Sequence, residues 1–290
     1  MPLYFIGLGL GDERDITLRG LETVRSCDRV FLDGYTSLLR TDLGQLEDLY
    51  GKKVTIADRE MIEENVSSLL EPARTGNVAF LVVGDVFGAT THHDLVLRAR
   101  QLGVECRFIF NASILTAVGV CGLQLYRFGE TISLVFWTNA WRPTSWYEKL
   151  EANRRRGLHT LFLLDIRVHE PSEESLARGV KVFEPPRFMT IADAAQQLLT
   201  LWRERAQLLG RETDETGAGA FAYDSDTLCI GLARVGQVDE LMAVGTLKEF
   251  SRKDFGPPLH SLVMPGDLHA VEAEYLASLP RASSLQTLLV

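Results

Sequence analysis

Cysteine is scarce in this 290-residue chain, and the four that occur, Cys27, Cys106, Cys121 and Cys229, stand far apart. None forms a C-x-x-C pair or lies near a histidine at metal-ligand spacing, which argues against a disulfide scaffold and a zinc site and predicts free thiols in a reducing compartment. Long apolar runs are missing too, since no stretch approaches the ~20 residues that span a bilayer. Positive charge is in deficit: 30 Lys and Arg stand against 39 Asp and Glu, a formal net charge of −9. The surface as a whole therefore repels phosphate backbones, and nucleic acid is not expected as the main ligand. The residues after Met1 carry no basic flank and no A-x-A cleavage site, so a soluble, cytoplasmic protein without a membrane partner is expected. There is no G-x-x-x-x-G-K-[ST] for a P-loop, no G-x-S-x-G for a hydrolase elbow and no H-E-x-x-H for a metalloprotease.

What is present is ample apolar material, 46% of residues against 24% charged, enough for one large or two medium domains with their own cores. Short apolar runs alternate with helical periodicity. Strands are predicted at residues 3–6, 29–32, 54–57, 77–85 and 106–110, and helices after the Thr17 cap, near 45–50 before Gly51, over 60–73 and around 94–102. On the first of these helices Leu18, Leu21 and Val24 fall on one face. This alternation implies an α/β domain with a mostly parallel sheet. Near Asn111 the pattern restarts, with Ser113 as cap of a short Gly-containing helix. A strand ISLVFW, a helix near 146–156 and a strand LHTLFLLDI follow. The clearest helix is MTIADAAQQLLTLWRERAQLL, with Thr190 as cap, Asp193 three residues on, and Ile191, Ala195, Leu198, Trp202 and Leu209 in one stripe. Residues 210–226 are polar, Gly-rich and aperiodic, which predicts a surface loop. Strand-like runs TLCIGLARVG, ELMAVGTLKEF and HSLVMPG, a helix near 271–279 and a disordered tail complete the reading. Two domains are expected, 1–111 and 112–290, each a mostly parallel or mixed sheet flanked by helices.

Three motifs carry chemical possibilities, with His260 and a tryptophan cluster beside them. The strand ending in Gly7-Leu8-Gly9-Leu10-Gly11-Asp12 lets backbone turn sharply and approach a ligand, or it is a structural turn; its third glycine comes one residue early for G-x-G-x-x-G. Val83-Gly84-Asp85-Val86-Phe87-Gly88-Ala89-Thr90-Thr91 places an acid and two glycines at the carboxyl end of an apolar strand, where open α/β sheets bind ligands. Asp85 there suits a ribose hydroxyl or a cationic group, or else Asp85 and Thr90 satisfy turn amides. His92-His93-Asp94 invites a metal reading, but adjacent histidines diverge and a helix start explains them better, so no metal is expected. His260 opens an apolar run and faces a pocket or is simply hydrogen-bonded. Trp137, Trp141 and Trp146 around Arg142-Pro143 form a contact surface or pack inside.

The segment LYFIGLGLGDERDITLRGLETVRSCDRVFLDGYTSLL resembles the opening of the diphthine synthases, diphthamide-pathway methyltransferases of the tetrapyrrole methylase-like group. FLVVGDVFGATTHHDLVLRA, FNASILTAVGVCGLQLYRFGETISLVFWT, FEPPRFMTIADAAQQLL, GLARVG and GPPLHSL resemble that family's segments in its order, over nearly the whole chain. The resemblance implies a two-domain α/β methyltransferase, a homodimer, with S-adenosylmethionine in the cleft between domains and S-adenosylhomocysteine as product. The implied substrate is translation elongation factor 2, at a histidine bearing a 3-amino-3-carboxypropyl group. Its amine would be trimethylated and its carboxylate esterified, four methyl transfers in all, since FWTNAWRP and FEPPRF look closer to the eukaryotic form. Position by position, the implied cofactor contacts are Leu10 in the glycine loop, Asp85 and Gly88 in the GD-x-F-G segment, Ser113 and Ile114 in NASI, Leu164 in FLLDI, Val235 in GLARVG and His260 in PLH.

The chain departs from the family pattern at Val86, commonly proline, and at Asp33-Gly34 before Tyr35-Thr36-Ser37. Methyl transfer from a sulfonium is an in-line displacement that needs orientation more than a catalytic group, so no catalytic residue or proton acceptor is assigned. Bulk at Gly9 or Gly88 should weaken cofactor binding without unfolding the protein. A tetrapyrrole or other small-molecule methylase of the same fold, and a non-catalytic binding protein that has kept it, are the alternative readings.

Overall fold

A computed structural model of the chain describes residues 2–34, 41–63, 65–168, 185–208 and 221–287. These divide into two units: Met1–Ala117 with Ile166–Arg187 and Gly236–Val238, and Val118–Asp165 with Phe188–Val235 and Asp239–Val290.

In the first unit the alternating pattern becomes β1 (Pro2–Gly7), α1 (Leu18–Ser26), β2 (Arg29–Asp33), α2 (Leu43–Tyr50), β3 (Val54–Ala57), α3 (Arg59–Glu63), α4 (Ser67–Thr75), β4 (Val78–Val82), α5 (His93–Gln101), β5 (Glu105–Ile109) and the single turn α6 (Ile114–Ala117). The strands form a parallel sheet in the order β3-β2-β4-β1-β5. Successive side chains on a strand point to opposite faces, and both faces are covered. Leu3, Phe5, Phe31, Val78, Phe80 and Val82 pack with Leu69, Leu70 and Ala73 of α4 and Leu95, Val96 and Ala99 of α5. On the other face Ile6, Val30, Leu32, Ala79 and Leu81 meet Val24 of α1 and Leu46 and Tyr50 of α2. Each fully buried large side chain contributes about 1.5–3 kcal/mol. β4, buried at all five positions, is central because its sequence offers no polar face.

Local signals act as expected at the ends: Thr17 accepts from the Gly20 amide at 3.0 Å, and Gly51, at φ 65°, stops α2. Two expectations are corrected. The helix expected over 60–73 is two helices, because Asn65, Val66 and Ser67 are poor helix formers and the Asn65 amide closes on Glu60 O at 2.8 Å. Leu18 is 73% exposed; the inner face of α1 is carried by Gly20 and Val24.

β8 (Ile166–Arg167) and β9 (Arg187–Phe188) form a two-stranded ribbon. The second unit contains β6 (Ile132–Leu134), α7 (Trp146–Arg155), β7 (Thr160–Leu164), α8 (Ile191–Leu208), β10 (Leu228–Ala233), β11 (Leu241–Thr246), α9 (Leu247–Phe250), β12 (His260–Met264) and α10 (Ala270–Ser278). Its sheet runs β11-β10-β12-β7-β6, antiparallel except for the β6–β7 pair. Ile191, Ala195, Leu198 and Trp202 of α8 are buried in its core as the stripe predicts, while Leu209 lies outside the described residues. Thr190 and Asp193 cap α8 reciprocally: the Asp193 amide donates to Thr190 Oγ1 at 3.0 Å and the Thr190 amide to Asp193 Oδ2 at 2.9 Å.

The surface-loop expectation for 210–226 falls mostly on residues 209–220, outside the described residues. Its far end is corrected: Ala222 and Tyr223 are buried, and the Tyr223 hydroxyl donates to Leu198 O at 2.8 Å. The tail is corrected as well. Ala282 is fully buried, Val244 N donates to Pro280 O at 2.8 Å, and Lys253 Nζ donates to Leu285 O at 2.9 Å. Satisfied backbone groups and a buried methyl hold it, although its composition carries no periodic signal.

Candidate functional site

In the first unit the ends of β1, β4 and β5 are in register, Gly7 opposite Val82 and Ile6 opposite Ile109. The loops that leave them therefore start side by side. β1 and β4 are neighbours whose onward connections leave in opposite directions, toward β2 and toward β5, the arrangement beside which open α/β sheets hold ligands. Gly9 and Gly84, at φ 79° and 80°, exchange backbone hydrogen bonds of 3.1 and 2.8 Å. Leu10, partly buried, follows directly. Asn111, which sequence reasoning placed only at a boundary, stitches the loops together. Its side-chain amide donates to Gly7 O and Asp15 O at 3.0 Å each, and its backbone N–H to Asp85 Oδ2 at 2.9 Å.

Asp85 uses its other oxygen to accept from Phe87 N at 3.0 Å. Its carboxylate is thus committed to backbone amides, and Thr90 Oγ1 donates to Val86 O at 2.8 Å. The pair thus serves the turn in two ways, Asp85 accepting from backbone amides and Thr90 donating to a backbone carbonyl. The segment also carries backbone groups. Gly88 N donates to Asp85 O at 3.2 Å, and the Gly88 α-carbon packs so closely on Ser113 that an added Cβ would lie 2.5 Å from Ser113 Cβ. Ser113, buried, starts α6 with Ile114, its carbonyl accepting from Thr116 and Ala117 amides. Asp85, Gly88 and Ser113 are therefore brought together, with Ile114 adjacent. At Val86, the departure from the family pattern, the side chain is buried in the core and the turn around it stays closed.

His92 is buried against this turn. Its Nδ1 lies 2.9 Å from Val86 O, which can only accept, and its Nε2 lies 2.9 Å from Asp33 Oδ2. Both ring nitrogens face protein groups, so His92 is a structural clamp at the start of α5. His93 stacks on Phe87 with centroids 4.4 Å apart. Among the described residues, no group of three or more His, Cys, Asp or Glu is placed to hold a metal.

In the second unit Leu164 ends β7 and His260 begins β12. Ser261 pairs with Leu163 and His260 with Ala233, so Leu164, Val235 and His260 gather at one end of that sheet. His260 Nδ1 accepts from Ile191 N at 3.3 Å, and Nε2 donates to Pro257 O at 3.0 Å. Burial, helped by the nearby Arg234 charge, holds its pKa below the ordinary histidine value, so the ring is neutral with both nitrogens committed. Like that of Asp85, its side chain is hydrogen-bonded to backbone groups within the protein. Of the three tryptophans, Trp146 is buried, Trp141 is exposed, and Trp137 stacks under the Arg142 guanidinium at 4.3 Å.

Backbone strain marks the same two places. Among the described residues, the non-glycine residues with φ in the left-handed region are Ala89, at 64°, and Arg234, at 55°. One follows Gly88 and the other precedes Val235. Such strain costs on the order of 1–3 kcal/mol and concentrates at ligand clamps. Taken separately, each place sets apolar side chains beside loops rich in backbone N–H and C=O: Leu10 and Ile114 in the first unit, Leu164 and Val235 in the second.

The tetrapyrrole (corrin/porphyrin) methylase family model matches residues 2–251. A diphthine methyl ester synthase from Homo sapiens is 52% identical over 285 residues, 97% of each chain. One from Kluyveromyces lactis is 54% identical over 276 residues, 94% of this chain and 88% of that one. The crystal structure of a diphthine synthase superposes with a TM-score of 0.77 at 34% identity, covering 97% of this chain and 96% of the other. With more than half of its residues shared from end to end, the chain belongs to the tetrapyrrole methylase family and, within it, to the diphthine methyl ester synthases.

Proposed function

We propose that this chain is the S-adenosylmethionine-dependent methyltransferase that converts the 3-amino-3-carboxypropyl histidine of translation elongation factor 2 to the methyl ester of diphthine. The observation that carries this reading is the 52% identity over 97% of a diphthine methyl ester synthase. The strained turns at Ala89 and Arg234, each next to a cofactor position expected from the family, support it. The cofactor supplies an electrophilic methyl on a sulfonium. The chain's task is to hold donor and acceptor in line and to exclude water. Leu10, Asp85, Gly88, Ser113 and Ile114 from the first unit and Leu164, Val235 and His260 from the second serve as the cofactor residues. Asp85 and His260 act through their backbone, since their side chains are already hydrogen-bonded within the protein. An amine must reach the cofactor unprotonated, whereas a carboxylate is already anionic at neutral pH, so the nitrogen transfers require a proton acceptor and the ester-forming transfer does not.

A cytoplasmic homodimer completes the proposal. Among the described residues no helix is long and apolar enough to cross a membrane. The test incubates the protein with S-adenosylmethionine and elongation factor 2, either unmodified or carrying the 3-amino-3-carboxypropyl group, and follows the intact mass of the factor. Four added methyls on the intermediate alone, one of them lost in mild base, are expected. No transfer to the intermediate would overturn the reading.

A further inference from the structure

Arg234 is an arginine where a buried arginine is costly: it is 6% exposed, and its backbone sits at φ 55°, a conformation that a residue with a Cβ adopts only under constraint. Its guanidinium accounts for the constraint. Nη1 donates to Phe255 O and to Pro257 O at 2.7 Å each, and Nε donates to Asp239 O at 3.0 Å with the Asp239 carboxylate at 2.9 Å. Its own amide donates to Leu259 O at 2.8 Å. Pro257 O also accepts from His260 Nε2, so Arg234 and His260 converge on one carbonyl. One side chain thereby ties the turn that carries Val235 to the loop that delivers His260, the two segments whose backbone faces the cofactor in the function proposed above.

We propose that Arg234 is a positioning residue for the cofactor: its guanidinium sets the distance between the turn after β10 and the loop before β12, so that backbone groups of Val235 and His260 stand where the ligand meets them. Planarity matters as much as charge. A guanidinium reaches several carbonyls in fixed directions, whereas a lysine ammonium is a point charge on a flexible stem. Arg234→Lys therefore keeps the charge and loses the geometry.

The role rests on the proposed function, and the experiment separates the two. Wild-type protein is titrated with S-adenosylhomocysteine by calorimetry, and its amide hydrogen exchange is compared with and without that product. Protection is expected to rise at residues 235–236 and 259–260. Arg234→Lys and Arg234→Gln are then assayed for the KM of S-adenosylmethionine, for kcat and for Tm. A KM raised about tenfold or more in the lysine variant and further in the glutamine variant, with kcat at saturating cofactor within about threefold, is the expected split, because misplacement of about 1 Å at a binding group has effects of this size. A folded lysine variant whose KM stays within twofold, whatever its Tm, overturns the positioning role. If neither variant folds, the exchange on wild type decides: binding without protection at 235–236 and 259–260 overturns the role alone. Failure of wild type to bind the product overturns the functional reading together with it.

Discussion

Gly88→Ala is the sharpest test of how the β4 turn works. A Cβ at this position would lie 2.5 Å from Ser113 Cβ and 3.4 Å from Asp85 Cβ. Carbon atoms in contact sit about 3.5–4.0 Å apart, so one wall must retreat by roughly 1 Å. Ser113 cannot easily be that wall, because its carbonyl accepts from Thr116 N at 3.0 Å and Ala117 N at 2.8 Å. The turn yields instead, and Asp85, held by Phe87 N and Asn111 N, moves with it. Overpacking of this kind costs about 1–3 kcal/mol, and a 1 Å displacement of a ligand-facing loop weakens function up to about a hundredfold. Gly84→Ala is the internal control. Its Cβ would meet Ser113 Cβ at 3.7 Å, an ordinary contact, so only the left-handed backbone at φ 80° opposes it, worth about 1–2 kcal/mol. Calorimetry with S-adenosylhomocysteine and thermal unfolding measure both terms. A Gly88→Ala protein with unchanged Tm and cofactor affinity within twofold of wild type would refute the reasoning. The expectation that bulk at Gly88 acts on the ligand alone is refined here: even a methyl meets Ser113 first.

Three further outcomes are expected. His92→Ala removes a buried partner from both the Asp33 carboxyl and Val86 O, so denaturant unfolding should show a loss of about 3–5 kcal/mol, and a loss under 1 kcal/mol would contradict the clamp. His159 is fully buried, its Nδ1 accepting from Gly266 N at 3.0 Å and its Nε2 facing Glu272 at 3.2 Å. Burial pushes its pKa, like that of His260, below the ordinary 6.5. The unfolded chain then binds more protons than the folded one below that value, so stability is full above it and falls as pH drops through and below it; a Tm unchanged between about pH 7 and about pH 5.5 would count against this. Burial also pushes the Cys27 and Cys121 thiols up to about 11 and that of Cys229 up to about 12, whereas Cys106 is only half-buried. Iodoacetamide on native protein followed by mass spectrometry should modify Cys106 first and the other three only on unfolding.

Elements with a local cause were legible from residues alone. The apolar run of β4, the Thr17 and Thr190 caps, Gly51 after α2 and the stripe of α8 each state their structure within a few residues, because period, capping and propensity are short-range properties. The glycine loop and the GDVFG turn were legible as places where backbone comes close to something. Pairings that cross the chain were not. Asp33 and His92 are 59 residues apart, and Asn111 reaches back 104 residues to Gly7; neither spacing leaves a periodic trace. The tail was misjudged for the same reason, since Ala282 packs on Gly245 and Arg281 pairs with Val244, both far from it in sequence.

Sequence by itself settled the kind of protein: an acidic α/β chain with glycine turns at strand ends, whose ordered segments match one methyltransferase family over nearly their full length. Tertiary structure alone decided which groups of those segments are available. Asp85 and His260 read as polar side chains that a ligand could use, yet folding commits both to backbone partners, while Arg234 and Ala89, unremarked in the sequence, carry the strain. The reason is physical: whether a polar atom is free depends on what the rest of the chain brings within hydrogen-bonding distance, and only the folded chain specifies that.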